Sequence, residues 1–320
     1  MKPATTRNGN QMVVTLPRWL LLPLRAGLRL AARCWPAAAV ATFTWLLTHM
    51  PRRRLSPRAQ AFLATAERLA FDCGDVTLAG YGFGAGPTVL LVHGLQGSAA
   101  NFHAMAPALA AAGFRVVAFD AVNHGNSPAG TAFSQRTVAH LRHVLAQLGH
   151  VHALVCHSAG AYVAMLALLD LPRHCRVGRC VYLAPYPDIA TTLSAFTDYL
   201  HVPASLHPPL QRWFEEVGGL PFAQQTMAWC LPRHRTPLPP PLLFIHDADD
   251  RHIALAGTRA LVAQLAAQAG APARSELQCN MPVWQPHLYV TTGLGHFHIL
   301  KDPGVIAHIV AFLAERASQE

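Results

Sequence analysis

Ser158 stands in the run HALVCHSAGAYVAM (152–165), where an apolar, β-branched stretch passes directly into an Ala-rich one. A sharp turn at such a junction strains the serine backbone and presents its hydroxyl above a sheet. Small neighbours such as Ala159 and Gly160 then let strand and helix approach. A serine hydroxyl becomes a nucleophile when a base takes its proton and an acid orients that base. Both residue types lie downstream. LLFIHDADDRHI (242–253) reads as a buried strand delivering carboxylates to its C-terminal edge, with Asp250 as the acid and Asp249 or Asp188 as alternatives. HLYVTTGLGHFHILKDP (287–303) carries His296 as the base and His298 as its competitor. Gly293 and Gly295 allow the loop to bend back toward Ser158. The chemistry open to this set is two-step acyl transfer through a covalent intermediate, with no metal or organic cofactor.

The surrounding pattern supplies the elements such residues need. Runs at 88–93, 115–120, 152–156, 179–184, 242–246 and 287–291 read as buried parallel strands. Stretches of helical period lie between most of them, at 102–112, 133–148, 160–171, 255–269 and 303–317, after a helix at 57–70 and weak strands near 75–84. Repeated βα units predict an α/β fold with a doubly wound, mostly parallel sheet flanked by helices. Residues 186–238 break the rhythm with Trp213, Phe214, Phe222 and Trp229 and a proline run, and read as an inserted helical cap. The resulting organisation is a leader at 1–55, a core at 56–185, the cap at 186–238 and the rest of the core at 239–320.

Composition narrows the partners. The 320 residues are 52% hydrophobic and 13% charged, against about a quarter charged in an average domain, which excludes disorder and a nucleic-acid-coating surface. The net charge of +9 is local: residues 1–54 hold nine Lys/Arg and no Asp or Glu, and the remainder balances. Arg18, Arg25, Arg29 and Arg33 fall on one helical face and Leu20, Leu21, Leu24 and Leu28 on the other, with a second short helix over 34–47. Such a leader can lie on an anionic membrane or dock its apolar face on the body. Its apolar stretch is interrupted by arginines, so neither a spanning helix nor a secretory signal is expected. This places the protein in the cytoplasm, with peripheral contact to the inner membrane face open to it. Seven scattered cysteines without a CxxC pair argue against a disulfide framework or zinc ribbon. The pairs His150/His152 and His296/His298 lack a completing ligand set, so no metal site is expected.

From about residue 75 to 317 the sequence resembles the α/β-hydrolase superfamily. VHGLQGS (92–98) resembles its HG loop, DAVNHGNS (120–127) its DxxGHGxS segment, HDADDRHI its HGxxDxxV acid motif and GLGHFHILKDP its GxGHxxxxxxP base motif. Cys156 and Asp247 stand where the family usually has glycine. More narrowly, the leader and the last two motifs resemble bacterial hydrolases of esterase and lipase type. The resemblance implies a serine hydrolase with Ser158, Asp250 and His296 as triad and the backbone N–H groups of Leu95 and Ala159 as oxyanion hole. On this reading His93 and His157 are structural, His124 and Asn123 fix a loop beside the pocket, and Asp247 and Asp249 cap loops or face solvent. The implied substrate is a small, apolar carboxylic ester held near Phe102, Trp213, Phe214 and Trp229 under the cap. A thioesterase or lipase held at a membrane, and a non-catalytic binding protein on the same scaffold, are the alternatives.

Overall fold

The structure is a computed structural model that describes residues 17–132, 135–234, 240–269 and 286–315. The first sixteen residues of the leader, Cys279, part of the proline run and the last five residues lie outside the described residues. The described residues begin with two helices, α1 (Arg18–Cys34) and α2 (Pro36–Thr48), joined at Trp35. Helix α3 (Pro57–Ala64) follows, capped by the Ser56 hydroxyl, which accepts from the Ala59 N–H. Then come β1 (Glu67–Asp72), β2 (Thr77–Phe83), β3 (Thr88–Val92), α4 (Met105–Ala111), β4 (Arg115–Phe119), α5 (Gln135–Leu148), the short β5 (His150–Val151) and β6 (Ala153–His157). After α6 (Ala159–Leu168), the short β7 (Arg176–Val177) and β8 (Cys180–Leu183), the chain leaves the sheet through α7 (Ile189–Leu200), α8 (His207–Gly218) and α9 (Met227–Cys230). It returns with β9 (Leu242–Asp247), α10 (Leu255–Gln268), β10 (Pro286–Thr291), α11 (Gly295–His298) and α12 (Pro303–Ala314).

Eight strands form one sheet in the order β1-β2-β4-β3-β6-β8-β9-β10. From β4 to β10 the pairing is parallel, whereas β1 and β2 form an antiparallel hairpin and β2 pairs antiparallel with β4. The helix predicted over 57–70 is therefore shorter. Ala-rich composition carries α3 to residue 64, but ERLAFD then alternates around buried Phe71, and pairing with β2 outweighs helix propensity. Along the central strands successive side chains enter different cores: Leu90, Val117, Leu154, Tyr182 and Phe244 on one face, and Leu91, Val116, Val155, Val181 and Ile245 on the other. Both faces are covered, which is why these strands read as unbroken apolar runs.

The leader docks on the body. Leu21, Leu28, Ala32, Ala39, Phe43 and Leu47 are buried in the same core as α5–α9. Full burial of a side chain such as Phe43 contributes about 1.5–3 kcal/mol. Arg25 lies on the flank of this contact and donates to the Tyr199 carbonyl at 2.9 and 2.6 Å. No helix among the described residues is long and apolar enough to cross a membrane.

β4 lies on one side of β3 and β6 on the other, so the winding direction reverses beside the C-terminal end of β3, where open α/β sheets form a crevice. Asp120, fully buried just after β4, ties the loops of that crevice together. Its carboxylate accepts from the N–H groups of Ala99 and Asn126, both at 2.7 Å, and from the Tyr81 hydroxyl at 3.1 Å. Asp120→Ala removes the acceptor of three donors, two of them buried, and should cost about 3 kcal/mol. A urea titration should show a lower midpoint with an unchanged slope; a wild-type midpoint would show that the loops hold without this carboxylate.

Candidate active site

β6 enters α6 through Ser158, whose φ of 53° and ψ of −124° lie in a region that residues with a side chain rarely occupy. The turn is held by the Ser158 N–H donating to the Leu183 carbonyl at 3.0 Å and by the Ala161 N–H donating back to the Ser158 carbonyl at 2.9 Å. Two glycines make the close approach feasible. A Cβ on Gly160 would lie 2.5 Å from the His93 carbonyl oxygen, and one on Gly94 would lie 2.9 Å from Ser158 Cβ. Cys156 is accommodated because its side chain turns into the core, where it is fully buried; burial pushes its thiol pKa well up.

Three side chains that arrive from β6, β9 and the loop after β10 form one hydrogen-bonded chain. His296 Nε2 lies 2.9 Å from Ser158 Oγ, and His296 Nδ1 lies 2.7 Å from Asp250 Oδ2. All three residues are buried. Asp250 Oδ1 accepts from the N–H groups of His252 and Ile253 at 2.7 and 3.0 Å. Burial alone would raise the Asp250 pKa, but His246, His296 and the Ile253 N–H together outweigh it and hold the carboxyl well below the usual range. An ionised Asp250 accepts a hydrogen bond from Nδ1–H, leaving Nε2 free to take a proton from the serine.

The alternatives stand elsewhere. Asp188 caps α7, accepting from the Thr191 N–H at 2.6 Å; Asp249 is exposed and accepts from Gly293 N–H at 2.8 Å. His298 is exposed on α11. Among the described residues no cluster of three or more His, Cys, Asp or Glu side chains is arranged to hold a metal ion.

Asp247 departs from its sequence reading in that it does not face solvent, although it does cap loops. It is fully buried, and its carboxylate accepts from Thr291 Oγ1 at 2.7 Å and from the N–H groups of Asp249, Leu294 and Gly295 at 2.9, 3.0 and 2.9 Å. Desolvation would raise its pKa, but these donors, Gly295 foremost, bring it below the usual value. The segment that presents His296 is thus hung from one carboxylate. His157 fixes the same segment from below, donating from Nε2 to the His296 carbonyl at 2.9 Å. Burial, then the neighbouring His296, lowers its pKa to about 3, so it is neutral.

The loop carrying Leu95 is held by two more neutral imidazoles. His93 Nε2 accepts from the Ala121 N–H at 3.0 Å, so its Nδ1–H donates to the Gly94 carbonyl at 2.8 Å. His124 Nε2 accepts from the Gln96 N–H at 3.0 Å and its Nδ1–H donates to the Val122 carbonyl at 2.9 Å. Burial lowers both pKa values to about 4. Leu95 lines the cavity over Ser158, and Ala159 opens α6, where the first N–H groups of a helix have no intrahelical partner.

That cavity measures about 100 Å³ and is bounded by Arg53, Gln96, Asn101 and Phe297 besides the residues above. Phe102, Trp213, Phe214 and Trp229 do not line it. Phe102 and Phe214 are fully buried in the two cores, and Trp213 and Trp229 pack against the helices between β8 and β9. The sequence reading missed Arg53 and Phe297. Phe297 has a signal, since it directly follows His296. Arg53 has none in its own motif, because its place depends on how the leader folds back: Arg52 donates to the Gly125 carbonyl, Gln96 Nε2 to the Pro51 carbonyl at 3.3 Å and Asn123 Nδ2 to the Met50 carbonyl at 3.0 Å.

Residues 87–240 match the family model for the alpha/beta hydrolase fold. The chain is similar to the sn-1-specific diacylglycerol lipase ABHD11 of Danio rerio, 33% identical over 141 residues, which are 43% of this chain and 42% of that protein. It is 40% identical to the Mus musculus protein of the same name over 102 residues, 31% of each chain. The matched segments thus span less than half the length of these relatives. The Pyrococcus furiosus esterase Pf2001 superposes with a TM-score of 0.59 at 18% identity, covering 83% of this chain and 96% of that one, a likeness of fold. Together with the sheet order and the strand-to-helix turn at Ser158, these matches show that the chain has the α/β-hydrolase fold.

Proposed function

We propose that this protein is a serine hydrolase that cleaves a carboxylic ester by an acyl-enzyme mechanism. The observation that carries the reading is the Asp250–His296–Ser158 chain of hydrogen bonds on a strained turn at the C-terminal edge of the sheet. Ser158 Oγ attacks the ester carbonyl while His296 Nε2 takes its proton, and Asp250 holds the tautomer and stabilises the imidazolium. The tetrahedral oxyanion rests on the N–H groups of Leu95 and Ala159, each worth about 10²–10³ in rate because the charge arises only in the transition state. The intermediate collapses, His296 returns the proton to the departing alkoxide, and Ser158 is left acylated. Water, deprotonated by the same imidazole, then releases the acid and restores the serine.

A lipid ester taken from a membrane is the second reading, and an uncovered surface favours it. Trp19, Leu22 and Leu30 recur at helical spacing on the side of α1 away from the docked face and are 74%, 61% and 61% exposed; Trp35 is 67% exposed. Patches of this kind mark interaction sites, and this one lies in the segment that holds all the excess positive charge. An anionic bilayer complements both features, with tryptophan at the interface and arginine among the headgroups. The relatives named as diacylglycerol lipases point to the same substrate class.

A fluorophosphonate probe should label the wild-type protein and neither Ser158→Ala nor His296→Ala, and ester turnover in both should fall at least about 10⁴-fold. Continued labelling of the serine variant would refute the nucleophile, and absence of labelling in folded wild type would favour a non-catalytic scaffold. Asp247→Ala should leave Ser158 reactive but lower kcat about 10²-fold through misplacement of His296; a wild-type kcat would deny Asp247 its positioning role. In flotation with vesicles containing phosphatidylglycerol, wild type should rise with the lipid and Trp19→Ser/Leu22→Ser/Leu30→Ser should remain below. Equal behaviour of the two would remove the membrane reading.

A further inference from the structure

The cavity over Ser158 is too small for more than the reacting centre, but it does not end there. At Arg53, Gln96, Gly97 and Asn101 it joins a trough of about 620 Å³ that runs between the leader's end and the loop after β3. Four cations line this trough: Arg53, Arg54, Arg58 and Lys301. No aspartate or glutamate does. Besides the cations the lining is mixed, with apolar Leu55, Ala59 and Phe62 beside polar Ser56, Ser98 and Asn101.

The absence of counter-charge has a cause in the sequence. The first acidic residue of the chain is Glu67, so the arginines at 53, 54 and 58 have no partner in their own segment. Among the described residues none of the four cations is in an ion pair. Asp302, next to Lys301, is occupied in capping α12, where it accepts from the Val305 N–H at 2.9 Å. Hydrogen bonds from Arg52, Gln96 and Asn123 keep the arginine segment against the site. Four like charges held around one depression repel one another, and an anion seated among them relieves that repulsion while gaining charge-assisted hydrogen bonds.

We propose that the trough is the substrate-binding extension of the site, and that it takes an amphiphilic ester whose non-reacting end carries a phosphate or carboxylate. The apolar part of the lining accommodates the chain between that anion and the ester carbonyl at Ser158. The assignment rests on Ser158 as the reacting centre and narrows its substrate from esters in general to anionic ones. Arg54, Arg58 and Lys301 act as specificity-determining residues.

Binding to full-length Ser158→Ala by calorimetry tests this without turnover. Octyl phosphate and octanoate should bind at least about tenfold more tightly than octanol, and inorganic phosphate should bind more weakly than octyl phosphate. Arg54→Gln/Arg58→Gln/Lys301→Gln, added to the same background and checked for fold by circular dichroism, should lose about tenfold in octyl phosphate affinity. That loss corresponds to about 1.4 kcal/mol, a modest sum for three exposed charges. Raising ionic strength should weaken the two amphiphilic anions and leave octanol unchanged. Octyl phosphate binding no better than octanol, or unaltered affinity in the triple variant, would overturn the proposal. Inorganic phosphate binding as tightly as octyl phosphate would also overturn it, leaving a bare anion site. If octyl phosphate binds as expected while the fluorophosphonate fails to label wild type, the trough stands and the acyl-transfer reading falls. Labelling without anion preference gives the converse.

Discussion

The 2.9 Å contact between Ser158 Oγ and His296 Nε2 joins groups 138 residues apart, and much of the structure can be understood as the means of holding it. Neither side is rigid by itself. The serine sits at a backbone angle its own side chain disfavours, and the histidine belongs to the single-turn helix α11, entered through two glycines. Each is fixed by its neighbours in the fold. On one side the Leu183 carbonyl, Gly94 and Gly160 leave no other position for the turn. On the other, Asp247 and His157 secure the backbone that carries His296. Strain of this kind persists only where the surroundings over-determine it. Here the surroundings are the C-terminal ends of five adjacent strands.

Burial of so many polar groups is tolerated because their partners are arranged by charge type. Asp250 and Asp247 remain ionised through several donors each, which offsets desolvation. His93, His124 and His157 take the opposite course and stay neutral, which lets each ring donate from one nitrogen, and His93 and His124 also accept at the other. A protonated ring would lose its acceptor and place a second positive charge beside His296. Neutral imidazoles therefore brace the loops without competing for the proton that the proposed reaction would move.

The legibility of these features followed their range along the chain. Ser158 was readable because a strand, a small-residue turn and a helix are all local, and Asp250 and His296 because each ends a strand with a distinctive sequence. The parallel strands were readable because both faces of the sheet are covered. The β1–β2 hairpin was less so, since ERLAFD has both helical composition and strand alternation, and only the partner strand decides between them. Asp247 was read as a loop cap or solvent-facing charge, and its burial was not legible because it comes from the return of β10 beside β9. The cavity wall was the least visible part. Aromatic residues of the helical insertion looked like the wall of this pocket, yet Phe214 fills a core, Trp213 packs half-buried against it, and Trp229 borders a different cavity. The wall comes from a leader that folds across the sheet to place Arg53 near Ser158.

The leader thereby joins two surfaces of different character. One side of α1 is spent on the core, the far side presents tryptophan and leucine, and the segment that follows α2 brings arginines to the mouth of the site. A helix serving only as packing would be selected for a polar outer face, because exposed tryptophan adds no stability and promotes association. A leader serving only to attract anions would not need the buried face of α2 formed by Ala39, Phe43 and Leu47. The arrangement is coherent if the same anionic, apolar environment that covers Trp19, Leu22 and Leu30 also provides the molecule that enters the trough. The distance a substrate travels from that surface to Ser158 would then be set by the short stretch from Met50 to Arg54. Its hydrogen bonds to the loops after β3 and β4 make it a fixed edge of the site.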